Sequence, residues 1–429
     1  MAETSTKKHL SVTVFYLLTA MGIGWPAFAA TGTVLPRWRS GETLAPLSLA
    51  VIHTLVLGSM LTIAFGVLYQ IVPIAFQAPP VARHVLWWHL PVHLVSVGLM
   101  VAGFLRGDYL LVGIGGTTVL LAAGAYFYFV LMSYRKARNK TVVHRSLVIP
   151  FAALFLVILL GIFQALWPQA VTLSVLLSHI LIGGLLFWGG LVLVVSYKLI
   201  PMFVLSHGYK ASLARTAGLY FPGVGLWIIA VWLPEQAFTP VYMAITILVV
   251  FGLVSFVVDI IAIVRARKRR RIVPPLYDAL FATFVIIVSQ IWLVGVVWAG
   301  RGTMAVLPIY LFIFLGLVPL MFAYMQKIVP FLWFEYRFSK RPERKTAPLI
   351  DDMVPKVPAQ VGFIVYCTGA IIGAASVGAG RASLLWTLLD WLSAILLTGG
   401  SVVLFLALQH VLTIGGRRPE DDVPPERLP

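Results

Sequence analysis

The sequence has little charge and almost no cysteine. Only 11% of its 429 residues are charged, whereas 60% are apolar, and so few charges cannot solvate the surface of a soluble domain of this length. The single cysteine, Cys367, lies inside an apolar stretch, so we expect neither an internal disulfide nor a cysteine-based zinc or iron–sulfur site. These shortages exclude disordered, fibrous and disulfide-rich secreted proteins, and they indicate a membrane protein.

Apolar stretches recur along the whole chain, and each is close to the roughly 20 residues that cross a hydrocarbon core of ~30 Å. They predict an all-α polytopic membrane protein, with residues 1–429 as a single integral membrane domain that ends in a Pro-rich cytoplasmic tail, 417–429. The twelve predicted transmembrane helices span about 10–30, 45–75, 84–105, 108–134, 147–166, 172–204, 213–233, 240–264, 276–298, 305–331, 357–378 and 384–414.

The net charge of +17 is distributed unevenly between the two sides of the predicted bundle. With both termini inside, the inner segments carry 25 of the 32 Lys and Arg residues and the outer segments carry five, while Lys198 and Lys327 lie near helix ends. By the positive-inside rule we expect a prokaryotic-type cytoplasmic (inner) membrane with both termini cytoplasmic. The basic run from Arg265 to Arg271 is then a topology signal beside an anionic leaflet. The expected partner is the lipid bilayer, and no nucleic acid is expected.

A short motif recurs at the ends of predicted helices 2, 6 and 10. Its three copies are Tyr69-Gln70-Ile71-Val72-Pro73, Tyr197-Lys198-Leu199-Ile200-Pro201 and Gln326-Lys327-Ile328-Val329-Pro330. The prolines are 128 and 129 residues apart, which is the length of one four-helix unit. We therefore predict three repeat-like units, at about 10–140, 141–271 and 272–416, in a pseudo-threefold arrangement.

The motif also predicts how these helices end. Each proline is expected to end its helix at the cytoplasmic face. Lys198 and Lys327 are expected to extend to water from the helix ends, as anchors.

Three four-helix units in a twelve-helix chain resemble subunit I of the haem–copper oxidases, including the nitric oxide reductase branch. The resemblance covers nearly the whole chain in topology but only short motifs in residues. In that family, helix 2 contributes a histidine to the low-spin haem and helix 6 contributes one to the copper site. Helix 7 contributes a further histidine pair, and helix 10 contributes histidines to both haems. A family of membrane haem and copper proteins involved in nitric oxide stress is a weaker resemblance.

The resemblance implies haem ligands on predicted helices 2 and 6. His53 lies twenty residues before Pro73, about 30 Å from the cytoplasmic end at 1.5 Å per residue, and its imidazole is a suitable axial ligand for haem b. Gly58 offers a small residue near a ring plane. His179 occupies the equivalent position on helix 6, as a ligand of haem iron or of copper. Hydrogen bonding to a neighbouring helix is the alternative for both histidines.

The chain departs from the family at several positions. Predicted helix 7 has no histidine, and Gly183 stands four residues after His179, where several oxidases carry a tyrosine. Helix 10 has Tyr310 in place of a histidine, so tyrosinate ligation and ordinary packing are both open for this residue. The family's complete copper site is therefore not expected, although copper at His179 stays open.

Predicted helix 3 carries three further histidines. We expect interfacial roles for His84 and His89 beside an aromatic belt, while His93 is an additional candidate haem ligand. Among the acids, Asp259 and Asp278 are expected near the basic run from Arg265 to Arg271, and Asp390 at a helix end. No carboxylate lies in the middle of helix 6, so we expect no proton pump.

Together these features favour a haem-binding membrane protein that serves electron transfer, nitric oxide or oxygen binding, or haem sensing. If it is an enzyme, it is expected to be an oxidoreductase. A redox partner or another respiratory subunit is the expected protein partner. A haem-free transporter or channel, and a non-catalytic subunit of a respiratory complex, are the alternatives.

Overall fold

The computed structural model describes residues 2–76, 79–136, 142–233, 238–268, 272–299, 305–338, 347–380 and 382–415. In this part of the chain twelve helices are long and apolar enough to cross a membrane, as predicted from the sequence. The helices, numbered in chain order, are α1 (Ala2–Arg39), α2 (46–76), α3 (Arg83–Arg106), α4 (Tyr109–Arg135), α5 (Val142–Leu166), α6 (Leu173–Val204), α7 (Leu213–Ala230), α8 (Phe238–Arg265), α9 (Pro274–Trp298), α10 (Val306–Phe338), α11 (Lys356–Gly378) and α12 (Leu384–His410). The predicted tail, 417–429, lies outside the described residues.

The outer surface of the bundle is apolar, as lipid contact requires. On α8, the exposed side chains Phe251, Val254, Val258 and Ile261 follow one another at three- and four-residue spacing, which places them on one face of the helix. The opposite face of α8 is buried against its neighbours. In water such a surface would drive aggregation, so the lipid bilayer is the solvent that suits it.

Three helices form the centre of the bundle. In α2, α6 and α10, 72% of the spanning window is buried, against 39% to 56% in the other nine. These three helices line a common apolar cavity of about 50 Å³, with Val67, Val195 and Tyr324 among its lining residues. The remaining helices surround them, and α1 packs against α12 to close the ring. The helices that carry the repeated motif are therefore the innermost ones.

Each inner helix contains a π-helical stretch in its first half. The stretches are Thr54–Met60, Leu181–Gly189 and Leu311–Leu317. They begin 19, 20 and 19 residues before the motif prolines. A π-helix costs regular hydrogen bonding and occurs frequently at functional sites. Its occurrence at three corresponding positions adds a backbone feature to the sequence repeat.

The expectation that each motif proline ends its helix is wrong, although the predicted ends at 75 and 204 lie within one residue of the observed ones. Helix α2 continues to Phe76, α6 to Val204 and α10 to Phe338, with each proline inside its helix. A proline removes one backbone donor and kinks a helix, but in α6 and α10 the turn after the proline is partly buried, with Phe203 and Leu332 among the buried side chains, and this packing sustains the helix beyond the proline. Helix α1 likewise continues past the predicted residue 30, through Pro36 to Arg39.

Glycine permits close packing between α11 and α12. A Cβ on Gly400 would lie 2.4 Å from the backbone nitrogen of Tyr366, whereas a Cβ on the adjacent Gly399 would meet no atom within 4 Å. We expect Gly400→Ala to destabilise the bundle, because the two helix backbones must separate. Gly399→Ala is the matched control, and we expect it to be neutral or stabilising by up to about 1 kcal/mol from helix propensity. Thermal unfolding of both variants in detergent tests this, and equal midpoints would contradict the close contact.

Candidate functional site

Two of the predicted ligands face each other. His53 ends the first α-helical stretch of α2, and His179 lies near the end of the corresponding stretch of α6. Their ring centres are 6.4 Å apart. A metal–imidazole bond is about 2 Å long, so two imidazoles on opposite sides of one ion have ring centres about 6 Å apart. The separation of His53 and His179 would therefore allow both imidazoles to hold one metal ion.

The hydrogen bond of His53 leaves one ring nitrogen available. Its Nδ1 lies 2.8 Å from the carbonyl oxygen of Leu49, one turn earlier on α2. Since a carbonyl oxygen only accepts, Nδ1 carries the proton and donates it. The proton-free Nε2 then has a lone pair for a metal, and the Leu49 carbonyl holds the ring in place, as outer partners of ligating histidines do.

His179 is held by packing instead. Its Nδ1 is buried without a hydrogen-bond partner, and its ring lies against Gly161 of α5, where a Cβ would be 3.2 Å from Cε1. Phe104 of α3 covers His53, with ring centres 4.8 Å apart. The imidazole pair thus lies where helices of the first predicted repeat meet helices of the second. A buried nitrogen without a partner calls for an explanation, and a bound group is one of those available.

The other predicted site residues lie elsewhere. The Cβ position of Gly58 faces Ile23 and Val97, so this glycine serves the packing of α2 against α1 and α3. Tyr310 is buried and stacks on Phe314, with ring centres 4.6 Å apart. Its hydroxyl group lies against Gly373 of α11, close to Ser393 of α12. Neither residue shares a described contact with the imidazole pair.

His93 belongs to a buried cluster of aromatic rings inside the first four helices. Its Nε2 donates to the carbonyl oxygen of Leu57 at 3.0 Å, while Nδ1 is buried and unpartnered. The ring packs against Phe65, with centres 5.2 Å apart. One nitrogen of His93 is thereby engaged by α2, and close packing surrounds the ring.

The expectation of an interfacial role is wrong for His89. This side chain is buried, its Nε2 donates to the carbonyl oxygen of Ala122 at 3.1 Å, and its Nδ1 lies 3.2 Å from the hydroxyl group of Tyr16. His89 and His93 are four residues apart, so both lie on the inner face of α3. His84, at the start of the same helix, is exposed, and its position at the membrane boundary stays a prediction.

The partners of the intramembrane acids differ from those predicted. Asp259 accepts hydrogen bonds from Tyr197 at 2.6 Å, from the backbone of Ser212 at 2.8 Å and from Arg215 at 2.7 Å. The described part of the basic run supplies none of these partners. Arg215 begins α7, far from the run in sequence. Among the described residues Arg215 is therefore the cation that pairs with Asp259, and only the folded bundle brings α7 to this carboxylate.

Two further polar contacts were not predicted from the sequence. Arg39 pairs with Asp390, with nitrogen–oxygen distances of 3.3 and 3.1 Å, and Ser376 also donates to this carboxylate. Lys327 forms an ion pair with Asp351 instead of extending freely to water, while Lys198 is exposed as predicted. Charged side chains inside the membrane are costly unless they are paired. From the sequence, this cost predicts that Arg39 and Lys327 have acidic partners, but it does not identify them.

Within the described ranges, no group of three or more histidine, cysteine or acidic side chains is placed to hold a metal ion. The two-histidine arrangement of His53 and His179 is therefore the candidate ligand set. Comparison of the chain with protein-family models and with curated proteins finds no match.

Proposed function

We propose that this protein binds haem b between His53 and His179 and serves in membrane electron transfer. The observation that carries the proposal is the imidazole pair, with 6.4 Å between the ring centres and the Nδ1 of His53 engaged by Leu49. His53 and His179 would hold the haem, and the bound group would supply one-electron transfer. Nitric oxide or oxygen binding would require one histidine to leave the iron, so it is the less favoured activity.

The residues around the pair fit a tetrapyrrole by their chemistry. The Nε2 of His53 is free to ligate, and the Leu49 carbonyl fixes the ring that carries it. Gly161 provides a backbone without a side chain beside His179, and Phe104 provides an aromatic surface beside His53. An apolar surrounding limits water and tunes the potential of a bound haem.

We further propose that the fold is a pseudo-threefold ring of three four-helix units, as in subunit I of the haem–copper oxidases. Three features support this relationship: the motif prolines, the corresponding π-helices and the shared central position of α2, α6 and α10. Four residues before each proline, Tyr69, Tyr197 and Gln326 contribute to polar or aromatic clusters within their own unit. The protein would be a member without the family's histidines on α7 and α10.

The orientation in the membrane follows from the basic residues. The uneven distribution of Lys and Arg supports cytoplasmic termini in a prokaryotic-type inner membrane. The imidazole pair would then lie in the outer half of the bilayer, where a redox partner or respiratory subunit at the outer face has the shortest path to it.

The absorption spectrum of the purified full-length protein tests the proposed cofactor. We expect a Soret band, and sharp α and β bands after reduction with dithionite. Iron analysis is expected to give one iron per chain, and copper analysis of the same sample to give none. A colourless, metal-free preparation would contradict haem binding and favour a transporter or channel. Stoichiometric copper would instead favour a metal site at His179.

A further inference from the structure

Three carboxylates are buried inside the described part of the bundle. Asp259, Asp278 and Asp390 are 2%, 6% and 0% exposed. Asp259 and Asp390 each pair with an arginine and accept further hydrogen bonds on the same carboxylate. Asp278 has no cationic partner among the described residues. The one hydrogen bond within 3.5 Å that the described residues make to it is a long one, in which Gln360 Nε2 donates to Oδ1 at 3.3 Å, and Gln326 approaches it more loosely.

Polar atoms without partners collect around Asp278. Its Oδ2, the Oε1 of Gln360 and the Nε2 of Gln326 are all buried and make no hydrogen bond. Gln326 is 5% exposed and approaches the carboxyl group from α10, while Gln360 approaches it from α11. Buried polar groups without partners are few in native proteins, so three in one place require an explanation.

The charged and titratable groups on the surrounding helices do not neutralise Asp278. On α10, Lys327 is paired with Asp351, and the hydroxyl group of Tyr324 bonds to Ser196. On α11, Lys356 is paired with Asp352, and Cys367 is buried and carries no cation. On α8, Asp259 is paired with Arg215. An isolated carboxylate in an apolar interior is strongly disfavoured and becomes neutral instead.

One proton accounts for two of the three unpartnered atoms. The ionised carboxylate of Asp278 and the Oε1 of Gln360 are both hydrogen-bond acceptors only, so no hydrogen bond can form between them. A protonated Oδ2 becomes a donor, and Gln360 Oε1 is the acceptor beside it. The carboxylic acid and the amide then form a two-hydrogen-bond pair, because Gln360 Nε2 already donates to Oδ1. Gln326 Nε2 remains as a further donor toward the same group.

We infer that Asp278, together with Gln360 and Gln326, is a membrane-embedded proton-binding site. A proton taken from water adds to Oδ2 of the ionised carboxylate to give the neutral acid, and the acid–amide pair retains that proton. The site lies near the motif end of α10, on the predicted cytoplasmic side, and so it would exchange protons with the cytoplasm. It is separate from the imidazole pair and is expected with or without bound haem.

Infrared spectroscopy of the full-length protein in lipid vesicles tests this site. We expect the C=O stretching band of a protonated carboxylic acid at neutral pH, and a shift of that band to lower frequency in D2O as the proton exchanges. Asp278→Asn should remove the band, since asparagine has the same shape without the acid. The matched controls are Asp259→Asn, at a buried arginine-paired carboxylate, and Asp352→Asn, at an exposed one. Both should leave the band unchanged.

A second variant tests the pairing itself and does not depend on the folding of Asp278→Asn. Gln360→Leu removes the amide, so the acid band should move to higher frequency as its hydrogen bond is lost. The proposal is overturned if the wild-type protein shows no acid band at neutral pH. It is also overturned if the band survives in Asp278→Asn, or if Gln360→Leu leaves its frequency unchanged.

Discussion

His53→Ala is expected to abolish the haem spectrum of the purified protein. The substitution removes the ring whose Nε2 is free and whose orientation the Leu49 carbonyl holds. Loss of partners that merely support a ligand costs roughly 10- to 100-fold in metal affinity, so loss of the ligand itself should cost more. We expect the Soret band per chain to fall at least tenfold, with a parallel loss of iron. His179→Ala should have a similar effect, since both rings are needed for two-imidazole ligation.

Other histidines provide controls for this experiment. His84→Ala changes an exposed side chain at the start of α3 and should leave the spectrum intact. His93→Ala changes a buried ring that hydrogen-bonds to Leu57, so it tests whether general disturbance of the bundle removes haem. If His93→Ala abolishes the spectrum while His53→Ala retains it, the ligand lies in the aromatic cluster and the assignment to His53 is wrong. Size-exclusion chromatography of each variant establishes that the bundle is intact.

Asp390→Ala is expected to produce the largest loss of stability. The side chains of Arg39 and Asp390 are 4% and 0% exposed, and they join the end of α1 to the first turns of α12. Removing one partner of a buried ion pair leaves an uncompensated charge and costs about 3–5 kcal/mol. Because this contact closes the ring of helices, we expect a lower midpoint of thermal unfolding in detergent and lower accumulation in membranes.

The double variant Arg39→Leu/Asp390→Leu separates charge burial from packing. Replacing both charges by apolar side chains removes the desolvation penalty, and buried pairs replaced in this way are often neutral in stability. We therefore expect the double variant to unfold at a higher temperature than Asp390→Ala. If the double variant is as unstable as the single one, the contribution of these residues comes from specific contacts, including that of Ser376.

The main features of the fold follow from local patterns in the chain. A run of apolar residues must form a helix in lipid, because every backbone polar group needs a partner inside its own segment. Twelve such runs therefore predict twelve helices, and the structure confirms them. The ends of helices are less predictable, because packing decides them. Pro36 and Pro330 lie inside helices, where burial of the neighbouring turns outweighs the missing hydrogen bond.

The candidate site was only partly predictable for a related reason. The motif spacing placed His53 and His179 at similar depths on corresponding helices, and the structure brings their rings together. The same reasoning could not show that His93, Gly58 and Tyr310 lie away from the imidazole pair. Which way a helix face points depends on the neighbouring helices that pack against it, and the sequence alone does not give these neighbours. The partner of Asp259 was missed because Arg215 is distant in sequence.

The sequence by itself determined that the surface of this protein suits lipid, how many helices are long and apolar enough to cross a membrane, and which short motif recurs. Those properties depend on hydropathy and spacing, which are local. Only the tertiary structure decided that the motif helices meet at the centre, that Arg39 is paired with Asp390, and that no cation of the described residues pairs with Asp278. Those properties depend on contacts between helices far apart in the chain, and the packing of the whole ring sets such contacts.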